Sequence, residues 1–96
     1  MTFGLNVMYT LKPGKRADYL DALHRAGLPG LVRREEGCLG YDYYLDTEDA
    51  DRLLLVERWE SRAAQQLHLR QPHMAAAIAL KRDFVENTNL VCYDVE

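Results

Sequence analysis

Only two cysteines occur among the 96 residues of this sequence, and no apolar run approaches the length of a membrane-spanning helix. Cys38 and Cys92 match none of the paired spacings of metal or redox motifs. Basic residues are also few, since 12 lysines and arginines are outnumbered by 15 aspartates and glutamates. This balance excludes a basic surface field that would attract nucleic acid or an acidic membrane. We therefore expect a cytoplasmic protein whose partners include neither nucleic acid nor a membrane.

Motifs that hold cofactors or activate nucleophiles are absent as well. The sequence has no glycine-rich phosphate loop, no dinucleotide fingerprint and no nucleophile elbow. His68 and His73 lie one residue further apart than the pair of the helical zinc motif, and Pro72 interrupts the helix between them. No cysteine or carboxylate has a spacing that would complete a metal site. We predict that the chain binds neither a cofactor nor a metal.

What the sequence does contain is the alternation of apolar and polar residues that is typical of strands. With 48% hydrophobic and 28% charged residues the composition is globular, and we expect residues 1–96 to form a single domain. The period-two pattern predicts four strands, over residues 3–11, 38–45, 52–59 and 90–95. The segment Asn87-Thr88-Asn89 is interpreted as a break that separates the last strand from the helix before it.

Helical periodicity occupies the segments between these strands. It predicts helices over residues 15–36, 61–69 and 72–85. Gly27 and Pro29 should bend the first helix, and Gly37 should end it in a left-handed conformation. The hydroxyl of Ser61 is a suitable cap for the second helix.

The order of these elements indicates an α+β fold. Strand, helix, strand, strand, helix pair, strand is the split β-α-β arrangement of ferredoxin-like folds, with one antiparallel four-stranded sheet and helices on one face. The first and third strands should be central. Cys38 and Cys92 would then lie on opposite edges, about 14 Å apart, which is too far for a disulfide.

One strand is apolar on both of its faces. Leu53-Leu54-Leu55-Val56 has no polar position, although helices can cover only one face of such a sheet. A second copy of the chain is the simplest cover for the other face. We predict a homodimer formed through the sheet.

Candidate reactive residues cluster in the second half of the chain. Strand alternation places Glu57 and Trp59 on one face, and His73 lies on an apolar helical stripe that should point at the sheet. His68 lies on the preceding helix. Two imidazoles near an indole could form a small reactive cavity, although histidines on apolar faces are more often hydrogen-bonded core residues.

Asn6 is unusual within a strand, and we expect its amide to point into the same cavity. Six tyrosines and one tryptophan favour a flat aromatic ligand, although tyrosine is equally ordinary core material. The residues expected to line the substrate site are Met8, Tyr41, Tyr43, Leu55 and Phe84.

Four segments carry a family resemblance. They are Lys12-Pro13-Gly14-Lys15, Glu35-Glu36-Gly37-Cys38-Leu39-Gly40-Tyr41, Val56-Glu57-Arg58-Trp59-Glu60-Ser61 and His68-Leu69-Arg70-Gln71-Pro72-His73-Met74. In this order they resemble the antibiotic biosynthesis monooxygenase domain, and most closely its bacterial quinol monooxygenase branch. The resemblance implies a dimeric α+β barrel with a cavity between each sheet and its own helices. There, electron-rich phenols, quinols or anthrones would meet molecular oxygen without a cofactor.

The resemblance also implies roles for individual residues. His73, or in second place His68, would remove the phenolic proton, and the N–H groups of Trp59 and Asn6 would stabilise the developing oxyanion. Leu55 stands where the anthrone oxygenases have an asparagine, and this difference argues against an anthrone oxygenase. Asn6, Trp59 and His73 match the set that haem-degrading relatives use.

Three other functions are consistent with the fold, because fold alone does not decide function. The chain could be a non-redox enzyme that isomerises or degrades a small metabolite. It could be a haem-degrading relative, or a dimeric ligand-binding module without turnover.

Overall fold

A computed structural model, which describes residues 1–95, contains four strands and four helices. Their order is β1 (Thr2–Leu11), α1 (Arg16–Arg25), α2 (Leu28–Arg33), β2 (Cys38–Leu45), β3 (Arg52–Trp59), α3 (Arg62–His68), α4 (Met74–Phe84) and β4 (Val85–Val95). No helix within residues 1–95 is long and apolar enough to span a membrane.

The strands form one antiparallel sheet in the order β2-β3-β1-β4. This confirms the predicted ferredoxin-like α+β architecture, with the first and third strands in the centre. Cys38 in β2 and Cys92 in β4 lie on the two edge strands, and both are free thiols.

Strand alternation buries one face of the sheet beneath the helices. The buried side chains of the two central strands are those of Phe3, Leu5, Val7, Tyr9, Leu11, Leu53, Leu55, Glu57 and Trp59. The helices contribute buried apolar side chains to the same core, namely those of Tyr19 and Leu23 in α1, Val32 in α2 and Ala77 in α4. The register pairs Leu5 with Glu57, which places a carboxyl group at the centre of an otherwise apolar layer.

The predicted bend in the first helix is a complete break into α1 and α2. Gly27 has a φ of +68°, and Pro29 lies in the first turn of α2, where its missing N–H has no helical partner to lose. Gly37 has a φ of +85°, as the left-handed prediction required. Its turn carries the chain from α2 into edge strand β2.

Gly37→Ala is expected to destabilise the fold more than Gly27→Ala. A Cβ at Gly37 would lie 2.6 Å from the Cβ of Ala64, whereas one at Gly27 meets no described atom within 4 Å. Gly27→Ala should therefore lower the free energy of unfolding by about 1–2 kcal/mol, the cost of left-handed backbone. Gly37→Ala should lose about 1–3 kcal/mol more through overpacking. Urea unfolding measures the stability of both variants. Equal losses of unfolding free energy would show that Ala64 of α3 does not restrict the space at Gly37.

The last strand begins earlier than predicted. Asn87, Thr88 and Asn89 were expected to separate it from the helix, yet they pair with Thr10, Tyr9 and Met8 of β1. The ten residues of β1 offer backbone partners along their whole length. Pairing with this neighbour outweighs the low strand propensity of asparagine.

The other face of the sheet has no helix over it. By the register, Leu54 and Val56 of β3 lie there beside Met8 and Asn6 of β1. Tyr44 of β2, next to Leu54, is 54% exposed. We call this surface the open face.

Candidate active site

A cavity of about 190 Å³ lies between the buried face of the sheet and the last two helices. Its lining includes Leu5, Val7 and Tyr9 of β1, Glu57 of β3, Gln65 of α3 and Lys81 of α4. We call it the Glu57 cavity. Apolar walls with a few convergent polar groups are typical of small-molecule sites.

Two larger depressions lie along edge strand β2, with volumes of about 380 and 270 Å³. Both are lined by Arg33 and Asp42, whose side chains are about half exposed and pair with each other at 3.4 Å. Neither includes a buried carboxylate, and His68 and His73 line none of the three. The chemistry therefore points to the smaller Glu57 cavity.

Glu57 is a buried carboxyl group with one fixed partner. It is 6% exposed, and its Oε1 accepts a hydrogen bond from Trp59 Nε1 at 3.0 Å. Burial raises the pKa of Glu57 above the usual range, and the Trp59 hydrogen bond and the nearby His68 and Lys81 oppose this shift. The result is a carboxylate that takes up a proton more readily than an exposed glutamate does.

Lys81 brings an amine to the same cavity. Burial lowers the pKa of its ammonium group, and the negative charge of Glu57 opposes this shift. Its Nζ lies 5.6 Å from the centre of the Tyr9 ring. Burial raises the pKa of Tyr9, and likewise raises that of Tyr43 to about 12, so both phenols stay protonated at neutral pH.

His68, rather than His73, packs against the indole of Trp59. The two ring centres are 4.7 Å apart and the rings are tilted by 32°. Tyr41 also contacts the imidazole edge-on, with ring centres 5.9 Å apart. His68 is 3% exposed, so the aromatic rings hold it in a single orientation within the core.

Glu35 joins the two histidines. Its Oε2 lies 2.9 Å from His68 Nδ1 and 2.7 Å from His73 Nε2. The Glu35 side chain is only 6% exposed, and it comes from the loop between α2 and β2. No sequence spacing indicated this cluster, because Glu35 is brought to the two histidines by the fold.

The predicted position of His73 needs a correction. It was expected to face Trp59 from an apolar stripe, but its ring binds Glu35 and it precedes the first residue of α4. Its side chain is 17% exposed. The stripe itself does face the core, because Ala77 is buried and Phe84 packs on Tyr19 with ring centres 5.8 Å apart.

The predicted placement of Asn6 and Met8 was wrong. Both lie on the open face, because side chains alternate along β1 and the odd-numbered residues face the helices. Asn6 Oδ1 accepts a hydrogen bond from the Tyr93 hydroxyl at 2.7 Å. The sheet thus separates Asn6 from Trp59, and the set that haem-degrading relatives use is not assembled in this chain.

The remaining predicted residues lie on the helix side of the sheet, but none of them lines the Glu57 cavity, and Tyr43 lines the larger depression along β2 instead. Tyr41 and Leu55 are buried, and the rings of Tyr41 and Tyr43 meet edge-on with centres 5.9 Å apart. The N–H of Trp59 is directed at Glu57, so the direct contact with a substrate oxyanion that the sequence suggested is replaced by one with a carboxylate. Glu57 and Glu35 are the two functional candidates to which the sequence assigned no role.

The chain is similar to known proteins in both sequence and fold. Residues 2–80 match the family described as antibiotic biosynthesis monooxygenase. Over 64 residues the chain is 38% identical to the probable quinol monooxygenase YgiN of Escherichia coli K12, covering 57% of this chain and 62% of that protein. The chain therefore spans about three fifths of the length of this relative.

Solved structures share the fold over nearly the whole chain. A conserved protein of Methanosarcina mazei Go1 has a TM-score of 0.85 at 21% identity, over 100% of this chain and 94% of that one. A candidate antibiotic biosynthesis monooxygenase of Nitrosomonas europaea has a TM-score of 0.88 at 20% identity, over 98% and 89%. At such identities the likeness concerns the fold.

Proposed function

Because the chain belongs to the antibiotic biosynthesis monooxygenase family, we propose that it oxidises a small phenol or quinol to a quinone with molecular oxygen and without a cofactor. The observation that carries the proposal is the buried Glu57 carboxylate, which lines a mostly apolar cavity between the sheet and its helices. The name of the Escherichia coli relative supports the same class of substrate. Oxygen uptake by the purified chain with such aromatics tests it.

Glu57 is our first candidate for the group that removes the phenolic proton. General-base catalysis requires an acceptor within hydrogen-bond reach of the substrate, and Glu57 is the carboxylate that lines the cavity. Its raised pKa brings it closer to that of a phenol, which makes the transfer less unfavourable. The ammonium group of Lys81, which lines the same cavity, would stabilise the phenolate that forms.

The oxidation can then proceed on the substrate itself. The phenolate gives one electron to oxygen, and the resulting phenoxyl radical and superoxide join at a ring carbon that carries hydrogen. Loss of that hydrogen as a proton and cleavage of the O–O bond leave a carbonyl group and release water. One oxygen molecule is consumed for each quinone. The protein's contribution is deprotonation, orientation and exclusion of water.

The size of the cavity favours a single aromatic ring. Its volume of about 190 Å³ is below the 300–1,000 Å³ that is usual for drug-sized ligands. Three-ring anthrones and haem are larger than a monocyclic phenol or quinol. We therefore propose a monocyclic substrate.

His73→Ala separates the two candidate bases. If Glu57 is the base, this substitution should reduce turnover by less than about tenfold, since removing the base costs 10²–10⁴-fold. It should also lower the free energy of unfolding by about 1–3 kcal/mol, because the buried Glu35 carboxylate loses one donor. Steady-state rates per folded chain and urea unfolding measure the two effects. A hundredfold loss of turnover at unchanged stability would instead make His73 the base. The turnover of His68→Ala, measured in the same way, is the comparison.

We also propose that two chains pair through the open face. Leu54, Val56 and Met8 give its centre an apolar character, and Val91 of β4 is 60% exposed beside Asn6. Contiguous apolar patches of this kind usually mark interfaces. The barrel architecture implied by the family resemblance supports a second copy as the partner.

A further inference from the structure

We propose that Glu35, His68 and His73 form a binding site for a divalent first-row transition metal ion. One oxygen of Glu35, Nδ1 of His68 and Nε2 of His73 all lie within 4.8 Å of one another. Two imidazoles and one carboxylate are a donor set that Fe²⁺, Co²⁺ and Zn²⁺ accept, with coordination positions left open for water. The proposal does not rest on the oxygenation above, which uses no metal.

The distances suit ligands that share one ion. Ligand atoms that bind a metal at about 2.1 Å are separated by about 3 Å in octahedral geometry and by about 3.4 Å in tetrahedral geometry. Glu35 Oε2 is 2.9 Å from His68 Nδ1 and 2.7 Å from His73 Nε2. Small outward shifts of the side chains would therefore admit the ion.

The same three ligand atoms also form hydrogen bonds with one another. Each imidazole can donate an N–H to the Glu35 carboxylate, which accounts for both short contacts. A metal would occupy the place of these two hydrogens. Each neutral histidine would then carry its proton on the other ring nitrogen, so the exchange is a change of tautomer that releases no proton from a neutral ring.

The charge around the site favours a cation. The Glu35 side chain is 6% exposed, and among residues 1–95 its ion-pair partners within 4 Å are His68 and His73 alone. A buried carboxylate without a lysine or arginine beside it gains from a divalent ion that replaces its lost hydration.

Packing holds the ligands ready and leaves a way in. Trp59 and Tyr41 both pack against the ring of His68 and limit its movement, as supporting residues do around metal-binding histidines. His73 is the most exposed ligand, at 17% of its side chain, and marks the side from which an ion would enter.

The three ligands come from three separate segments of the chain. Glu35 follows α2, His68 ends α3 and His73 precedes α4. An ion bound by all three would tie these segments together and stabilise the folded state in proportion to its occupancy. Zinc should therefore raise the melting temperature of the protein as its concentration rises.

Titration with Zn²⁺ alone, followed by calorimetry and by thermal unfolding, tests the site. We expect one ion per wild-type chain, and Co²⁺ in its place should give visible absorption bands of a nitrogen- and oxygen-coordinated ion. Glu35→Gln and His73→Ala should each weaken binding by at least about tenfold, since even supporting residues of metal sites are worth that much. Glu36→Gln and His24→Ala alter exposed neighbours of the same chemical types and should change nothing.

Two results would overturn the proposal. One is a wild-type chain that takes up no Zn²⁺ or Co²⁺ at millimolar concentration. The other is binding that Glu36→Gln or His24→Ala weakens as much as Glu35→Gln does. If Glu35→Gln fails to fold, the Co²⁺ absorption bands test the site instead. They should appear in the wild type and be weakened in His73→Ala. The metal titration contains no aromatic substrate, so a failure to bind metal leaves the proposed oxygenation intact.

Discussion

Replacing Glu57 by glutamine is expected to lower the turnover of a monocyclic phenol or quinol by about 10²–10⁴-fold, the usual contribution of a general base. The amide has nearly the same shape and can still accept the hydrogen bond from Trp59, so packing is kept while the proton affinity and the negative charge of the carboxylate are lost. Glu60→Gln alters an exposed carboxylate three residues along the chain and is the matched control. Steady-state oxygen uptake measures both variants.

The pH dependence of turnover tests the role of Glu57 independently. Turnover by the wild type should fall as the pH drops through the raised pKa of Glu57, because only the carboxylate accepts a proton. This limb should be missing from the residual activity of Glu57→Gln. Turnover within threefold of the wild type would instead move the base to His68 or His73.

Stability should change in the opposite direction to activity. The folded pKa of Glu57 is raised above its unfolded value, so the folded state binds more protons and the wild type loses stability as the pH rises through this window. Glutamine does not titrate. At pH 7 Glu57→Gln should therefore be at least as stable as the wild type, and the difference should vanish below the unfolded pKa.

Val56→Asp is expected to convert a dimer into a monomer. Val56 lies at the centre of the open face, opposite Asn6 of β1, so a second copy would bury the new carboxylate without a partner. An unpaired buried charge of this kind costs about 3 kcal/mol, and each copy carries one, so the dissociation constant should rise by at least about a hundredfold. Sedimentation or light scattering at micromolar concentration measures the change.

Ile78→Asp is the control for that substitution. Ile78 is 61% exposed on α4, so it places the same charge on an apolar surface away from the open face. A wild-type chain that is monomeric at micromolar concentration would contradict the proposed interface. So would dissociation by Ile78→Asp with an intact Val56→Asp dimer, which would move the interface to the helices.

Much of the fold could be predicted because it depends on local periodicity. Alternation within residues 52–59 identified the face shared by Glu57 and Trp59, and the Ser61 hydroxyl does accept from the amide of Ala64 as its capping role required. The start of β4 could not be predicted in this way. Its asparagines are held by pairing with β1, which is a property of the neighbouring strand and not of the local sequence.

The candidate site was only partly predictable, for a similar reason. Glu35 is separated from His68 by 33 residues and from His73 by 38. No spacing rule links such positions. Asn6 is a different case, because its even-numbered position between Leu5 and Val7 already indicated the open face.

The decisive measurement for the proposed oxygenation is oxygen consumption by the purified chain with a panel of monocyclic phenols and quinols. The buffer contains EDTA, and quinone formation is followed by absorbance. We expect uptake of one oxygen molecule per quinone, no return of oxygen when catalase is added, and loss of this uptake in Glu57→Gln. Uptake no faster than the spontaneous oxidation of every substrate would contradict it. So would uptake that EDTA abolishes, or uptake of which catalase returns half, since these indicate a metal-dependent reaction or a two-electron oxidase.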